Sequence, residues 1–150
     1  MNEIEAGERQ PVEVVRQGVA AFQRGDLEEV LALAREDFEI FLPPNLPNSG
    51  RYVGRDGFFV WMGQWLDAWE DFTVEITEVE PVGERHVVAR MRQSGRGRGS
   101  GIPVDMEIAY MWEVTDGRFV ALHLYASQEE AVHIAERRER ESADQNRRPA

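Results

Sequence analysis

The sequence predicts an α+β fold, with N-terminal helices packed on one side of a curved, mostly antiparallel sheet. Three observations carry this. Apolar residues in the N-terminal half recur at helical spacing, at Val12, Val15, Val19 and Phe22 and again at Phe58, Trp61, Met62 and Trp65. From Phe72 onward the period changes to two. The last two long apolar runs, between Ile102 and Ser127, flank Asp116-Gly117. That dipeptide suits a two-residue hairpin turn, which needs positive φ at both central positions. Helices followed by a strand meander argue for α+β.

The elements follow in order. Residues 1–10 read as a flexible N-terminus, 11–135 as one domain, and 136–150 as a charged, disordered tail. A first helix spans Pro11 to Arg24, with Pro11 suited to its first turn and Gly25 as its stop. Asp26 caps the next helix, and Glu29 completes a capping box. Leu27, Val30, Leu31 and Ala34 form its buried stripe. A short strand covers Phe38–Leu42, and PPNLPNSGRYVG reads as a loop. The third helix runs from about Arg55 to Trp69 and places Phe58, Trp61, Met62, Trp65 and Trp69 on one face. Such a stripe is core packing, or it walls an aromatic pocket through Trp61 and Trp65.

Phe72–Val79 turns Phe72, Val74 and Ile76 inward. His86–Ser94 puts Val87, Ala89 and Met91 on one side and Val88, Arg90 and Arg92 on the other. GRGRGSG at 95–101 reads as a flexible connection without the helix or Lys of a phosphate loop. In the hairpin, an unbroken register sets Trp112 opposite Ala121, Tyr110 opposite His123 and Ile108 opposite Tyr125. One face then carries Met106, Ile108, Tyr110, Trp112, Phe119, Ala121, His123 and Tyr125. The other carries Asp105, Glu107, Glu113, Ala109, Met111, Val120, Leu122 and Leu124. A short helix starts at Ser127, with Glu130 as capping partner, and carries Ala131, Val132 and Ile134.

Composition limits the function classes. The chain has 150 residues, enough for one domain with a real core. Net charge is −11, and such a body repels phosphate backbones, so nucleic acid is not an expected partner. No apolar run approaches the roughly 18 residues of a membrane span. The acidic start MNEIEAGERQ is no export signal, so the cytoplasm is the expected location. There is no cysteine, and three scattered histidines have no metal-ligand spacing.

The order of elements, Arg-Gly-Asp-Leu at 24–27, Tyr-Val-Gly-Arg-Asp-Gly at 52–57 and Trp-Glu-Val-Thr-Asp-Gly-Arg-Phe-Val at 112–120 resemble the SnoaL-like group. That group belongs to the nuclear transport factor 2 superfamily, with ketosteroid isomerases and limonene epoxide hydrolases. The resemblance covers about residues 10–135. It implies a cone-shaped barrel, a deep apolar pocket, and a homodimer formed through the outer sheet face, where Met111, Val120, Leu122 and Leu124 would serve. A terminal-helix contact would cover these residues equally well. Where ketosteroid isomerases place a base Asp before Pro, this chain has Leu42. Their acidic donor falls at Tyr110. The nearest inward polar group to the SnoaL cyclase acid is His123.

Tyr110 and His123, as cross-strand neighbours, would be close enough to act together. His123 would serve as base or acid and Tyr110 as oxyanion donor. Trp61, Trp65, Trp112 and Tyr125 would wall the pocket. The expected chemistry is cofactor-independent isomerisation, cyclisation or hydrolysis of an apolar carbonyl compound. The pair reads equally as a core histidine bonded to a tyrosine, in a non-catalytic binding or assembly domain. His86 and His133 read as exposed. Arg90, Arg92, Arg96 and Arg98 form the one basic concentration in the body. They read as an anion clamp, with Arg92 as ligand contact, or as solvated partners of Asp105, Glu107 and Glu113.

Overall fold

The computed structural model describes residues 10–44 and 49–147, the last two as backbone only. The expected flexible N-terminus therefore lies outside the described residues, apart from Gln10. The chain runs α1 (Pro11–Gln23), α2 (Leu27–Ala32), β1 (Ala34–Leu42), β2 (Gly50–Val53) and α3 (Gly54–Ala68). It continues through β3 (Trp69–Val82), β4 (His86–Gly97), β5 (Pro103–Thr115), β6 (Arg118–Tyr125) and α4 (Gln128–Arg147). The six strands form one curved, unclosed sheet in the order β2-β1-β6-β5-β4-β3. Every pairing is antiparallel except β1 with β6.

The helix signals hold with local adjustments, except that α2 ends at Ala32, so Leu27, Val30 and Leu31 are only half-buried against the core and Ala34 opens β1. Asp26 caps α2 by accepting the Glu29 N–H at 3.1 Å. Glu29 does not close the box; its carboxylate accepts from Arg24 at 2.8 Å. α1 buries Val14, Val15, Gly18 and Ala21, and Val12, Val19 and Phe22 flank them against the core. α3 buries Phe58, Trp61, Met62 and Trp65 as expected. Trp69 instead opens β3.

Parts of two segments read as irregular form strand, while residues 45–48 of the first lie outside the described residues. Gly50–Val53 pairs with Glu39–Leu42 as an edge strand. Gly95–Gly97 completes β4, and Arg98 fastens the following turn. Its guanidinium donates to the carbonyls of Asp67 at 2.9 Å and Trp69 at 3.0 Å, and its N–H to that of Ala68 at 3.0 Å. The orphan carbonyls at the end of α3 are satisfied this way.

The hairpin turn is as predicted: Asp116 has φ 54° and Gly117 φ 72°. The register beyond it is not. Val114 pairs with Phe119, but Glu113 pairs with Ala121, so Val120 is an extra residue. This bulge moves every later pair by one. Trp112 faces Leu122, Tyr110 faces Leu124, and Met111 faces His123. Because side chains alternate, a one-residue shift exchanges the faces of β6. Leu122 and Leu124 join the inner core, and His123 and Tyr125 turn outward.

The C-terminal helix differs most from expectation. α4 continues to Arg147, well past Ala135. Ser127 caps it through the Glu130 N–H at 3.1 Å. Ala131 and Ala135, both fully buried, let it approach Val82, Val88, Ala109 and Met111 on the outer face. Further along, the Glu139 carboxylate accepts the N–H groups of Glu84 at 3.0 Å and Arg85 at 3.1 Å, and bonds His86 Nδ1. Gly83 makes room: a Cβ there would lie 2.2 Å from Glu139 Oε1. So His86, expected exposed, is 3% exposed beneath α4, whereas His133 is exposed as expected. The tail folds because Arg and Glu favour helix and a latch anchors it. Among the described residues no helix is long and apolar enough to cross a membrane.

Candidate functional site

The concave face of the sheet and the helices α1 and α3 line a half-open cavity of about 100 Å³. α1 contributes Val15, Val19 and Phe22, and α3 contributes Phe58, Trp61, Met62 and Trp65. The inward positions of β4 and β5 add Met91, Gln93, Tyr110 and Trp112. The aromatic walls brace one another. Tyr110 and Trp112 have ring centroids 5.3 Å apart, and Trp65 meets Phe72 edge-on at 6.0 Å. Offset and edge-on contacts of this kind hold rings in place.

Polar atoms are few. Gln93, 2% exposed, donates from Nε2 to the Tyr110 hydroxyl at 2.5 Å. Its Oε1 and the Trp61 indole N–H are buried without a partner among the described residues. Burial pushes the Tyr110 pKa up, and the Gln93 hydrogen bond only partly opposes it. At neutral pH Tyr110 is a neutral hydroxyl and its proton is free to donate. No Asp, Glu, His or Arg is among the lining residues described.

The expected site is only partly assembled. Trp61, Trp65, Trp112 and Tyr110 do wall the cavity. His123 does not join Tyr110. The bulge at Val120 puts it on the outer face, stacked on Phe41 at 4.4 Å and parallel to Tyr125 at 6.3 Å. Burial among these neighbours, and then the Arg138 charge, push its pKa down to about 4, so it is neutral at pH 7. Tyr125 leaves the wall with it. Leu42, at the position of the isomerase base, is buried in the core.

Arg92 also faces outward and binds Asp105 at 2.5 Å, with Glu75 3.7 Å away. Arg90 lies 3.4 Å from Glu78 and 3.9 Å from Glu107, and Arg96 pairs with Asp71. Arg90, Arg92 and Arg96 are thus in exposed ion pairs with neighbouring strands, the reading of solvated partners, whereas Arg98 binds the carbonyls at the end of α3. The expected outer-face surface changes too, since Leu122 and Leu124 are internal and α4 covers Met111.

Gln93 is the site residue that the sequence reading lacks. A signal for it exists. It follows Val87, Ala89 and Met91 in the same inward phase, so a lone amide points into an apolar face. Among the described residues no group of three or more His, Asp or Glu side chains is placed to hold a metal.

The model of the SnoaL-like domain matches residues 15–122. This chain belongs to the SnoaL-like family. Solved structures share its cone-shaped α+β fold, that of the nuclear transport factor 2 superfamily. A nuclear transport factor 2-like protein from Burkholderia thailandensis is 22% identical, with a TM-score of 0.72, over 82% of this chain and 97% of that one. TerC, crystallised with polyporic acid, is 16% identical with a TM-score of 0.70, over 84% and 98%. SalBIII, described as an epoxide hydrolase/cyclase-like enzyme of pyran ring formation in salinomycin, is 13% identical with a TM-score of 0.65, over 78% and 90%. No curated protein matches the sequence. At these identities the likeness is one of fold.

Proposed function

We propose that this SnoaL-like protein binds a small apolar compound in the cavity between the sheet and α1 and α3. The observation that carries the reading is the chemistry of the wall. It is apolar except for Gln93, Tyr110 and the Trp61 indole, and Tyr110 is its one titratable side chain among the described residues. Ligand sites commonly combine an apolar wall with a few placed polar groups. The acid–base forms of isomerisation, cyclisation and hydrolysis need a positioned group that takes up a proton near neutral pH. His123 and the carboxylates lie elsewhere, and Tyr110 stays protonated. The wall therefore favours binding, with Tyr110 polarising a ligand oxygen, over acid–base turnover.

The test is occupancy. Native mass spectrometry of the purified protein is expected to show a bound apolar compound that Val19→Trp, which fills the cavity from α1, no longer holds. No bound compound in either protein, together with no heat of binding on adding either toluene or phenol, would sink the reading.

A homodimer remains a second reading for the outer face, at β1 and β6 rather than over β5. Its support is the row of Phe41, His123 and Tyr125, stacked but still half-exposed beside α4. Sedimentation should show a dimer that Phe41→Glu converts to monomer; a monomeric wild type removes it.

A further inference from the structure

We propose that the cavity selects an uncharged, hydroxyl-bearing ligand of single-ring size, of the phenol or enol type. This rests on the cavity being a ligand site at all.

The hydrogen-bond inventory of the wall supplies the chemistry. Gln93 Nε2 already donates to Tyr110 at 2.5 Å. What remains is the Tyr110 proton, the Trp61 N–H and the Gln93 Oε1, so the wall offers donors and an acceptor together. Turning the amide over only exchanges the parts: Tyr110 would then donate to Oε1, and its oxygen and an amide N–H would be left. A hydrocarbon would leave all of these groups unpaired. A ketone or ether brings acceptors alone and leaves the wall acceptor orphaned. A hydroxyl both accepts and donates, and so matches either arrangement.

Charge narrows the class further. A carboxylate or ammonium entering this wall would lose its water and meet no counter-charge among the described lining residues. Arg92, Arg90 and Arg96 offer an anion nothing here, being engaged on the outer face with Asp105, Glu78 and Asp71. Size narrows it again. The cavity volume is about 100 Å³. An engineered cavity of roughly 150 Å³ takes up benzene, so one ring is the upper bound here and seating it requires the wall to yield. Met62 and Met91 in the wall are the side chains best able to adjust to its outline.

Calorimetric titration of the whole chain at pH 7 with phenol, toluene, cyclohexanone and benzoate tests this. Phenol is expected to bind at least tenfold more tightly than toluene or cyclohexanone, and benzoate not to bind. Gln93→Met, close in size but without the amide, should bring phenol to within a few-fold of toluene, and Tyr110→Phe should do the same. Far-ultraviolet circular dichroism checks that both variants fold. The wild-type series decides the matter even if one does not. Toluene or cyclohexanone binding as tightly as phenol, or benzoate binding, overturns the hydroxyl selection and leaves the ligand site standing. No binding of any of the four removes both.

Discussion

The two faces of the sheet use opposite chemistry. The concave face is nearly free of titratable groups and lines the cavity, with Gln93 and Tyr110 as its polar pair. The convex face gathers the charges: the Glu139 latch on His86, the Arg90 and Arg92 pairs with acids of β3 and β5, and the His123 stack. Alternation along β4 and β5 makes this separation possible, since neighbouring residues such as Arg92 and Gln93 serve different surfaces. Ionisable residues here hold α4 and the strands together from outside. Recognition inside is left to neutral hydrogen bonds and shape. A histidine in an apolar strand is therefore weak evidence of catalysis until its face is known.

The largest effect should come from exchanging the faces of β6. Deleting Val120 removes the bulge and restores the unbroken register, which would drive His123 inward and Leu122 and Leu124 outward. We expect loss of the folded state, seen as absent near-ultraviolet dichroism and no cooperative melt. A stable deletion variant would show that the bulge does not set the faces.

Next is the latch. Glu139→Ala removes three hydrogen bonds to a carboxylate that is 17% exposed. Hydrogen bonds to charged groups contribute a net of about 1.5–3 kcal/mol each, and water that enters the opened latch restores part of that. A net loss of about 3 kcal/mol in urea unfolding is expected. Replacing exposed Glu136 by Ala should change little, and equal effects of the two would remove the latch from the account.

Acid should act through the convex face. His123 titrates near 4 when folded, against its ordinary 6.5. Between those values the unfolded chain binds the extra proton, so stability falls as pH drops from 6.5 toward 4. Glu139 adds to the loss at lower pH. Burial alone would raise its pKa, but the bonds from His86 and the Glu84 and Arg85 N–H groups outweigh that and lower it below 4.5. Its contribution is present above the unfolded value and disappears as pH falls through the folded one. Melting temperatures from pH 7 to 4 should decline less in His123→Phe, which keeps the stack. An identical slope would put the acid sensitivity elsewhere. The same variant should keep ligand affinity, because His123 is outside the cavity.

Arg92→Ala should have the smallest effect. Its pairs are exposed, and such pairs contribute about 0–1 kcal/mol. Ligand affinity should not move. A tenfold loss of affinity would return Arg92 to the binding site.

The sequence by itself determined most of the elements and most of the core. Period-2 alternation put Val87, Ala89 and Met91 on one side of their strand, helical spacing identified Phe58, Trp61, Met62 and Trp65, and Asp116-Gly117 located the turn, while which side of that strand faces the core was left to the packing. These are local signals, carried by neighbours in the chain and by backbone preference. Motif order added the family. Tertiary structure decided what local periodicity cannot hold. One extra residue at Val120 exchanged two faces, because strand pairing with β1 and β5 sets register over the whole ladder. Contacts far apart in sequence decided the rest. Glu139 reaches back to His86 to fold the tail, and Trp61 joins Gln93 and Tyr110 around the cavity. The type of each side chain was legible in the chain, but its face was set by partners far away in it.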